Sequence, residues 1–295
     1  MNFGNFPDLV VATVTPFKEN HPYKDGIIQL VDFLSSEGIE SFFVCGTTGE
    51  GMLMSLKDRK SAASMFRGAT NKSVIVNVSA TSYEDTFELC EHSRELGVEG
   101  VAVLTPGYYG YSPSEYVSYF SSIARTFDLP LFVYSNPDIT NVKLSVKILS
   151  SIFEKCSANV VGMKDSSGDI QYLGSLLRAL PKEKKVYNGI DSVYLPALSL
   201  GAFGQVSGLA NVAPAHFVRL RDSWKQGRMD EALNLQNEIC AIQSLLGEYP
   251  FQGMKEAIKL MGVDVGTPRF PVNELADKSK EELKDSLRRI QLVPA

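Results

Sequence analysis

The sequence predicts an α/β protein, a (β/α)8 TIM barrel followed by a C-terminal helical extension. Eight short apolar runs, rich in Val, Phe and Ile and bounded by Gly, Pro, Ser or Asn, are typical of buried strands. Because the runs are apolar throughout rather than alternating, they indicate a parallel sheet covered on both faces. A longer segment of helical character follows each run, which favours a barrel over two domains. The runs are Leu9–Val14, Phe42–Cys45, Val74–Val78, Val101–Leu104, Leu131–Tyr134, Val160–Met163, Lys185–Asn188 and Phe203–Val206.

The segments between the runs carry helical signals. Asp25–Glu37 places apolar residues at three- and four-residue spacings. Ser82 is a candidate N-cap for the helix Thr86–Leu96, and acidic residues follow it in the first turn. Gly97 ends that helix. Ser112–Glu115 opens the next helix in the same way. The competing fold is an open doubly wound sheet, and its dinucleotide-binding form is disfavoured because no GxGxxG follows the first run.

Further helical segments follow the eighth run and define the end of the barrel. They are Pro214–Gln226, Met229–Leu246, Phe251–Met261 and Lys278–Leu292. The last three exceed what a minimal barrel requires. We therefore expect residues 1–212 to form the barrel core through strand 8. Residues 213–295 are expected to form the last barrel helix and the helical extension, within the same structural unit.

The composition excludes several classes of protein. The 295 residues are 44% hydrophobic, and 29 Lys+Arg against 34 Asp+Glu give a formal net charge of −5. This is the composition of a folded chain without the basic footprint of a nucleic-acid or membrane-surface protein. The apolar runs are far shorter than the roughly 20 residues of a membrane helix. The four cysteines are too far apart for a zinc or redox motif, which predicts free thiols in the cytoplasm. The three histidines show no metal-ligand spacing, so no metal is expected.

A lysine and a tyrosine stand at strand ends, where barrels of this kind carry their active sites. Lys164 is the first charge after the sixth run. Desolvation there is expected to lower its pKa and yield a nucleophilic amine; the alternative is a lysine that emerges into solvent or pairs with Asp165. Tyr134 ends the fifth run and could shuttle protons beside such a lysine, or could simply pack the barrel rim.

A turn rich in glycine and threonine follows the second run. In Gly46–Glu50, two glycines allow a tight turn with outward amides, and Thr47 and Thr48 add hydroxyls. That arrangement suits a small carboxylate or phosphate, although a plain strand-to-helix turn has the same composition. What indicates a site is therefore the occurrence of the threonine pair, the tyrosine and the lysine together on three strands.

With these motifs the sequence resembles the dihydrodipicolinate synthase / N-acetylneuraminate lyase family of class I, pyruvate-dependent aldolases. The resemblance covers nearly the whole chain, and each motif falls in matching order after a predicted strand. The motifs are Gly46–Glu50, Tyr134-x-x-Pro137, Gly162–Asp169 and Gly201–Pro214. Together they are specific for the superfamily and less so for the substrate.

The resemblance implies roles for four residues. Lys164 would form a Schiff base with the keto carbon of pyruvate or a 2-keto acid, so that C3 can be deprotonated or the C3–C4 bond can break. Tyr134 would move the proton to and from the C4 hydroxyl. Thr47 and Thr48 would hold the substrate carboxylate. No cofactor is implied, and the partners are small-molecule 2-keto acid and aldehyde substrates.

The resemblance also implies a pocket lining and a subunit contact. Gly189 and Val206, at the ends of the seventh and eighth strands, should line the pocket near the imine. The Pro106–Tyr109 loop corresponds to one whose tyrosine reaches a neighbouring subunit's site, and the family implies a homotetramer. Tyr108 and Tyr109 are both candidates for that tyrosine; an aromatic subunit contact without catalytic function is the alternative for both.

The segment after Pro137 bears on the substrate. Dihydrodipicolinate synthases have an arginine two residues beyond this proline, which binds the second substrate's carboxylate. This sequence has Ile139 there, and an apolar side chain cannot supply that charge-assisted pair. The loop also differs from that of sialic acid lyases. The sequence is instead similar to a sugar-acid aldolase of the archaeal 2-keto-3-deoxygluconate type, which cleaves that sugar acid to pyruvate and glyceraldehyde.

The substrate prediction is therefore 2-keto-3-deoxygluconate, with 2-keto-3-deoxygalactonate as a further candidate. Four polar residues could meet the sugar hydroxyls or could be turn formers: Ser135, Asn136, Ser166 and Ser207. The segments at the barrel mouth show no Arg/Lys cluster beyond Lys164, which favours an unphosphorylated substrate. Two alternatives remain: condensation of pyruvate with another aldehyde, as in a dihydrodipicolinate synthase, and a non-catalytic keto-acid-binding barrel.

Overall fold

Eight parallel strands close into a barrel in the computed structural model, which describes residues 6–156, 158–247 and 251–293. The strands are β1 Leu9–Ala12, β2 Ser41–Val44, β3 Ser73–Asn77, β4 Gly100–Leu104, β5 Leu131–Ser135, β6 Val160–Asp165, β7 Lys185–Asn188 and β8 Gly204–Ser207. Their order around the barrel is β1-β8-β7-β6-β5-β4-β3-β2, so every strand lies beside its neighbours in sequence. This confirms the predicted (β/α)8 architecture.

Each apolar run coincides with a strand to within two residues. All four residues of β1, all four of β2 and all five of β5 are buried, as expected of a sheet covered on both faces. The first strand ends at Ala12, not at Val14 as predicted, because the Val14 N–H donates to Asn211 Oδ1 at 3.1 Å instead of to a neighbouring strand. Periodicity in the sequence cannot show a hydrogen bond between such distant residues.

Helices follow the strands and continue beyond the barrel. They are α1 Lys24–Ser36, α2 Leu56–Ala69, α3 Tyr83–Glu95, α4 Pro113–Thr126, α5 Pro137–Thr140, α6 Val146–Lys155, α7 Ile170–Ala179, α8 Tyr194–Ser199, α9 Pro214–Lys225, α10 Met229–Leu246, α11 Gln252–Leu260 and α12 Asp277–Arg289. The last three confirm the predicted C-terminal helices. The predicted cap of α3 is present, since Ser82 Oγ accepts from the Asp85 N–H at 3.1 Å. At α4, Ser112 and Glu115 form a full capping box.

The chain forms two compact units, each built from separate stretches of sequence. One unit comprises the described residues up to Asp8 together with Ser73–Val206, and in it α6 packs between α4 and α7. The other comprises Leu9–Lys72 and the described residues from Ser207 onward, and in it α10 packs on α9 and α11 packs on α12. The boundary expected at residue 212 stays a prediction.

Two further observations concern membrane-spanning helices and the cysteines. Across the part of the chain that the structure describes, no helix is both long and apolar enough to cross a membrane. All four cysteines are free thiols, three of them buried and Cys240 half-buried.

Candidate active site

Lys164 and Tyr134 meet at the ends of neighbouring strands. Their backbones are paired in register between β5 and β6, which places the two side chains side by side. The Lys164 Nζ lies 4.7 Å from the centroid of the Tyr134 ring. Both side chains are buried, since only 7% of Lys164 and 2% of Tyr134 are exposed. The structure thus brings together the amine and the phenol that the sequence singled out.

The phenol oxygen of Tyr134 is held by a residue just beyond its own strand. Asn136 Nδ2 donates to Tyr134 Oη at 3.0 Å. Asn136 is itself held by the first turn of α5, because its backbone carbonyl accepts from Thr140 Oγ1 at 3.0 Å. From the sequence, Asn136 was expected either to meet a sugar hydroxyl or to be a turn former. Its position two residues after Tyr134 was the available signal for this orienting role.

Gly189 lies directly against the lysine. A Cβ at this position would stand 2.1 Å from Ser166 Oγ and 2.7 Å from Lys164 Cε, so a side chain here would displace both. The Gly189 N–H donates to the Asp165 carbonyl at 2.7 Å, which fixes the approach. The absence of a Cβ therefore creates the space in which the Lys164 stem lies. Val206 is 3% exposed within β8.

The carboxylate of Asp165 is directed at the loop that follows β6. Ser167 donates to it twice, from its hydroxyl at 3.0 Å and from its backbone N–H at 3.2 Å. Burial raises the pKa of Asp165 to about 6, and the two hydrogen bonds from Ser167 act in the opposite direction. The residue beside the candidate nucleophile is thus a buried acid that organises its own loop.

The predicted sugar-contact serines occupy different environments. Ser207 Oγ accepts from the Ala210 N–H at 2.9 Å, which is the hydrogen bond of a turn former. Ser166 is buried against the position of Gly189. Ser135 Oγ is buried and lacks a hydrogen-bond partner among the described residues. None of the three is exposed, since Ser135 and Ser207 are 0% and Ser166 is 3% exposed.

The threonine turn belongs to the other compact unit and is tightly built. Thr47 and Thr48 are half-buried, and the Glu50 N–H donates to the Thr47 carbonyl at 2.9 Å. The Gly51 N–H donates to the Gly46 carbonyl at 3.0 Å. A Cβ on Gly51 would stand 1.9 Å from the Cys45 carbonyl oxygen, so only glycine fits there. The predicted tight turn is therefore present, and both threonines lie on it.

The last residue of this turn has a partner that the sequence analysis did not identify. Glu50 Oε1 lies 2.7 Å from Lys255 Nζ in α11, with 0% of the Glu50 side chain and 1% of the Lys255 side chain exposed. Glu50 Oε2 accepts from the Arg269 N–H at 2.6 Å. The available signal was a lysine on the apolar face of a helix, one position after Met254 and three before Ile258.

Tyr108 and Tyr109 lie on the surface between β4 and α4. Their exposed fractions are 83% and 66%, and their rings meet edge to face with centroids 4.9 Å apart. They are thus available to a partner molecule. Among the described residues, no group of three or more His, Cys, Asp or Glu side chains could hold a metal ion.

Comparisons with known proteins give consistent matches over nearly the whole chain. Residues 5–290 match the dihydrodipicolinate synthetase family. A 4-hydroxy-tetrahydrodipicolinate synthase of Thermoanaerobacter sp. (strain X514) is 30% identical over 286 residues, covering 96% of both proteins. The E. coli K12 prophage protein YagE, solved with pyruvate, superposes with a TM-score of 0.93 at 25% identity, covering 98% of this chain and 100% of that one. For the N-acetylneuraminate lyase of Proteus mirabilis the TM-score is 0.90 at 25% identity, with the same coverage.

Proposed function

Because this chain belongs to the dihydrodipicolinate synthetase family, whose members include aldolase-type lyases, we propose that it is a class I aldolase. The proposed reaction is the reversible cleavage of 2-keto-3-deoxygluconate to pyruvate and glyceraldehyde, with 2-keto-3-deoxygalactonate as a further candidate. The observation that carries the proposal is the buried contact between Lys164 and Tyr134, with Nζ 4.7 Å from the ring centroid. An amine beside a phenol supplies the nucleophile and the proton carrier that this chemistry needs.

The proposed reaction begins with attack of the Lys164 amine on the C2 carbonyl. Loss of water gives an iminium, which accepts the electron pair when the C3–C4 bond breaks. Tyr134 relays the proton of the C4 hydroxyl to C3: its oxygen takes that proton as the aldehyde leaves, and its own phenol proton passes to C3 of the enamine. Hydrolysis of the resulting iminium then releases pyruvate and the Lys164 amine. The Asn136 amide, which donates to Tyr134 Oη, supports this assignment because it orients the phenol oxygen.

Carboxylate binding is assigned to Thr47 and Thr48. Support comes from their position on a tight turn with hydroxyls and backbone N–H groups, which are the donors a small anion requires. Gly189 and Val206 are assigned to the pocket lining near the imine. For Gly189 the support is its close approach to the Lys164 stem.

The substrate assignment depends on the short helix after Tyr134. Ile139 lies on α5 with 50% of its side chain exposed, so an apolar group occupies the position where the synthases have an arginine. An apolar group gives no charge-assisted bond to a second carboxylate. A neutral aldehyde such as glyceraldehyde suits this position better than a charged semialdehyde.

A second candidate function is a synthase-type condensation of pyruvate with another aldehyde. The observation that favours it is the 30% identity to a 4-hydroxy-tetrahydrodipicolinate synthase along 96% of the chain. The two candidates share the imine chemistry of Lys164 and differ only in the aldehyde that the enamine attacks.

A panel of aldol reactions tests the substrate assignment. The purified enzyme should cleave 2-keto-3-deoxygluconate, and its kcat/KM should exceed that for the 6-phosphate because the proposed substrate is unphosphorylated. In the reverse direction, pyruvate should condense with glyceraldehyde faster than with aspartate semialdehyde. A clear preference for the semialdehyde would reject the sugar-acid assignment and establish the synthase-type alternative.

We also propose a homotetramer, in which Tyr108 or Tyr109 contacts a neighbouring subunit. The large exposed fraction of both rings supports a subunit contact. Light scattering coupled to size-exclusion chromatography should therefore give a mass of about four times the 32.4 kDa chain. A single-chain mass at working concentrations would contradict the assembly.

A further inference from the structure

Lys255 is a buried lysine whose ammonium group has three contacts within the protein. Its Nζ lies 2.7 Å from Glu50 Oε1, donates to the Thr267 carbonyl at 2.9 Å, and stands 4.3 Å from the centroid of the Phe17 ring. Only 1% of the side chain is exposed. A buried lysine is costly unless it is paired, so this contact is a specific feature of the fold and not a surface ion pair.

The partner of Lys255 is the terminal residue of the threonine turn. Glu50 is in the left-handed region with φ 55°, which a non-glycine residue keeps only when its surroundings hold it there. The second carboxylate oxygen accepts from the Arg269 N–H. Arg269 lies in the segment between α11 and α12. The Arg269 side chain in turn donates to Asp58 Oδ2 at 2.8 Å, at the start of α2. The C-terminal extension therefore holds the carboxylate of Glu50 from two sides.

We propose that Lys255 is a positioning residue that, through Glu50, holds the Gly46–Glu50 turn in the shape that binds the carboxylate of the 2-keto acid. The proposal rests on the proposed function, because it takes Thr47 and Thr48 as the carboxylate-binding groups. It assigns a role in substrate binding to the helical extension, which a barrel does not require in order to close. Loss of the ammonium should loosen the turn and weaken pyruvate binding, while the imine chemistry of bound substrate continues.

The charge of Lys255 should make pyruvate binding depend on pH. Burial lowers the pKa of Lys255 to about 8, and the neighbouring Glu50 carboxylate acts in the opposite direction. The Arg269 guanidinium shares the Phe17 ring with Lys255. The charged groups that line the same small cavity as Lys255 are Glu256, Lys259, Glu274 and Lys280. Below about pH 8 the lysine is protonated and the pair is intact; above it the lysine becomes neutral and the turn loses its cation. Pyruvate affinity should therefore fall as the pH rises through that value.

The test measures pyruvate binding through the imine. Borohydride inactivation is recorded against pyruvate concentration for the wild type and for Lys255→Met, which keeps the length of the side chain and removes its charge. We expect the half-saturating pyruvate concentration to rise about tenfold, in line with the effect of a small misplacement of binding groups. The limiting inactivation rate should change much less. The matched control is Lys259→Met on the same helix, whose lysine pairs with Glu256. Below about pH 8, where Lys255 is protonated in both proteins, it should bind pyruvate as the wild type does.

A second set of variants separates positioning from general damage. Glu50→Gln should raise the half-saturating concentration as Lys255→Met does, and the double variant should be no worse than either single one because the two side chains act as a unit. Lys255→Arg keeps the charge, so it should restore binding and remove the fall at alkaline pH. Thermal unfolding establishes that each variant is folded.

Two results would overturn the proposal. One is a folded Lys255→Met that binds pyruvate as tightly as the wild type. If that variant does not fold, the pH dependence of the wild type tests the proposal. A half-saturating pyruvate concentration that does not rise between about pH 7 and about pH 9 rejects the role of the ammonium. A wild type that gives no borohydride adduct at all rejects the proposed function instead.

Discussion

Replacing Lys164 by alanine is expected to abolish imine formation and to lower kcat/KM for the 2-keto-3-deoxy acid by at least about 10⁴-fold, since removal of a covalent nucleophile leaves no alternative route. The physical reason is that the proposed iminium, which accepts the electrons of the C3–C4 bond, forms on the Lys164 amine. The measurement is mass spectrometry after borohydride reduction in the presence of pyruvate. The wild type should carry a reduced pyruvate adduct on the peptide that contains Lys164, and the variant should carry none.

Lys185 offers a matched control on the neighbouring strand. It is also a barrel-strand lysine in contact with an aromatic ring, with Nζ 3.9 Å from the Phe203 centroid. Lys185→Met should form the adduct as the wild type does, because this lysine begins β7 whereas Lys164 stands near the end of β6. An adduct that survives Lys164→Ala, or turnover that persists without it, would refute the Schiff-base assignment.

Replacing Tyr134 by phenylalanine should separate imine formation from bond cleavage. The ring and its contact with Lys164 Nζ remain, so pyruvate should still be trapped by borohydride. Turnover of the sugar acid should fall by about 10²- to 10⁴-fold, the usual contribution of a positioned proton carrier. Single-turnover measurements should locate the loss in C–C cleavage.

Tyr187→Phe is the control for the loss of a buried phenol. Tyr187 is paired with Lys164 across β6 and β7, but its hydroxyl donates to the Pro7 carbonyl at 2.8 Å. Its loss removes one hydrogen bond to backbone, which costs about 1 kcal/mol of stability. If Tyr134→Phe and Tyr187→Phe reduce turnover equally, the phenol of Tyr134 has a structural role and not a proton-transfer role.

Sequence patterns were sufficient wherever the signal is local. The apolar runs and the cap at Ser82 depend on neighbouring residues, and the structure confirms them. Lys164 and Tyr134 were also within reach, because the ends of successive parallel strands lie at one edge of a sheet. The hydrogen bond from the Asn136 side chain to the Tyr134 hydroxyl was not predicted. The two-residue separation brings the residues close but does not show which way the amide points.

The contacts that could not be predicted join residues far apart in the chain. Glu50 and Lys255 are separated by most of the barrel sequence, and neither residue type alone specifies the other as its partner. The close approach of Gly189 to Lys164 likewise depends on the register between β6 and β7.

The sequence by itself thus determined the class of fold, the candidate lysine with its tyrosine, and the tight turn that bears the threonines. Those features follow from hydrophobic periodicity and turn chemistry, which act over a few residues. Only the tertiary structure decided that Lys164 lies 4.7 Å from the Tyr134 ring, and that Glu50, at the end of the threonine turn, pairs with Lys255. Burial makes an unpaired charge expensive, and a partner can come from any segment that folding brings near; such pairs appear only once the chain is packed.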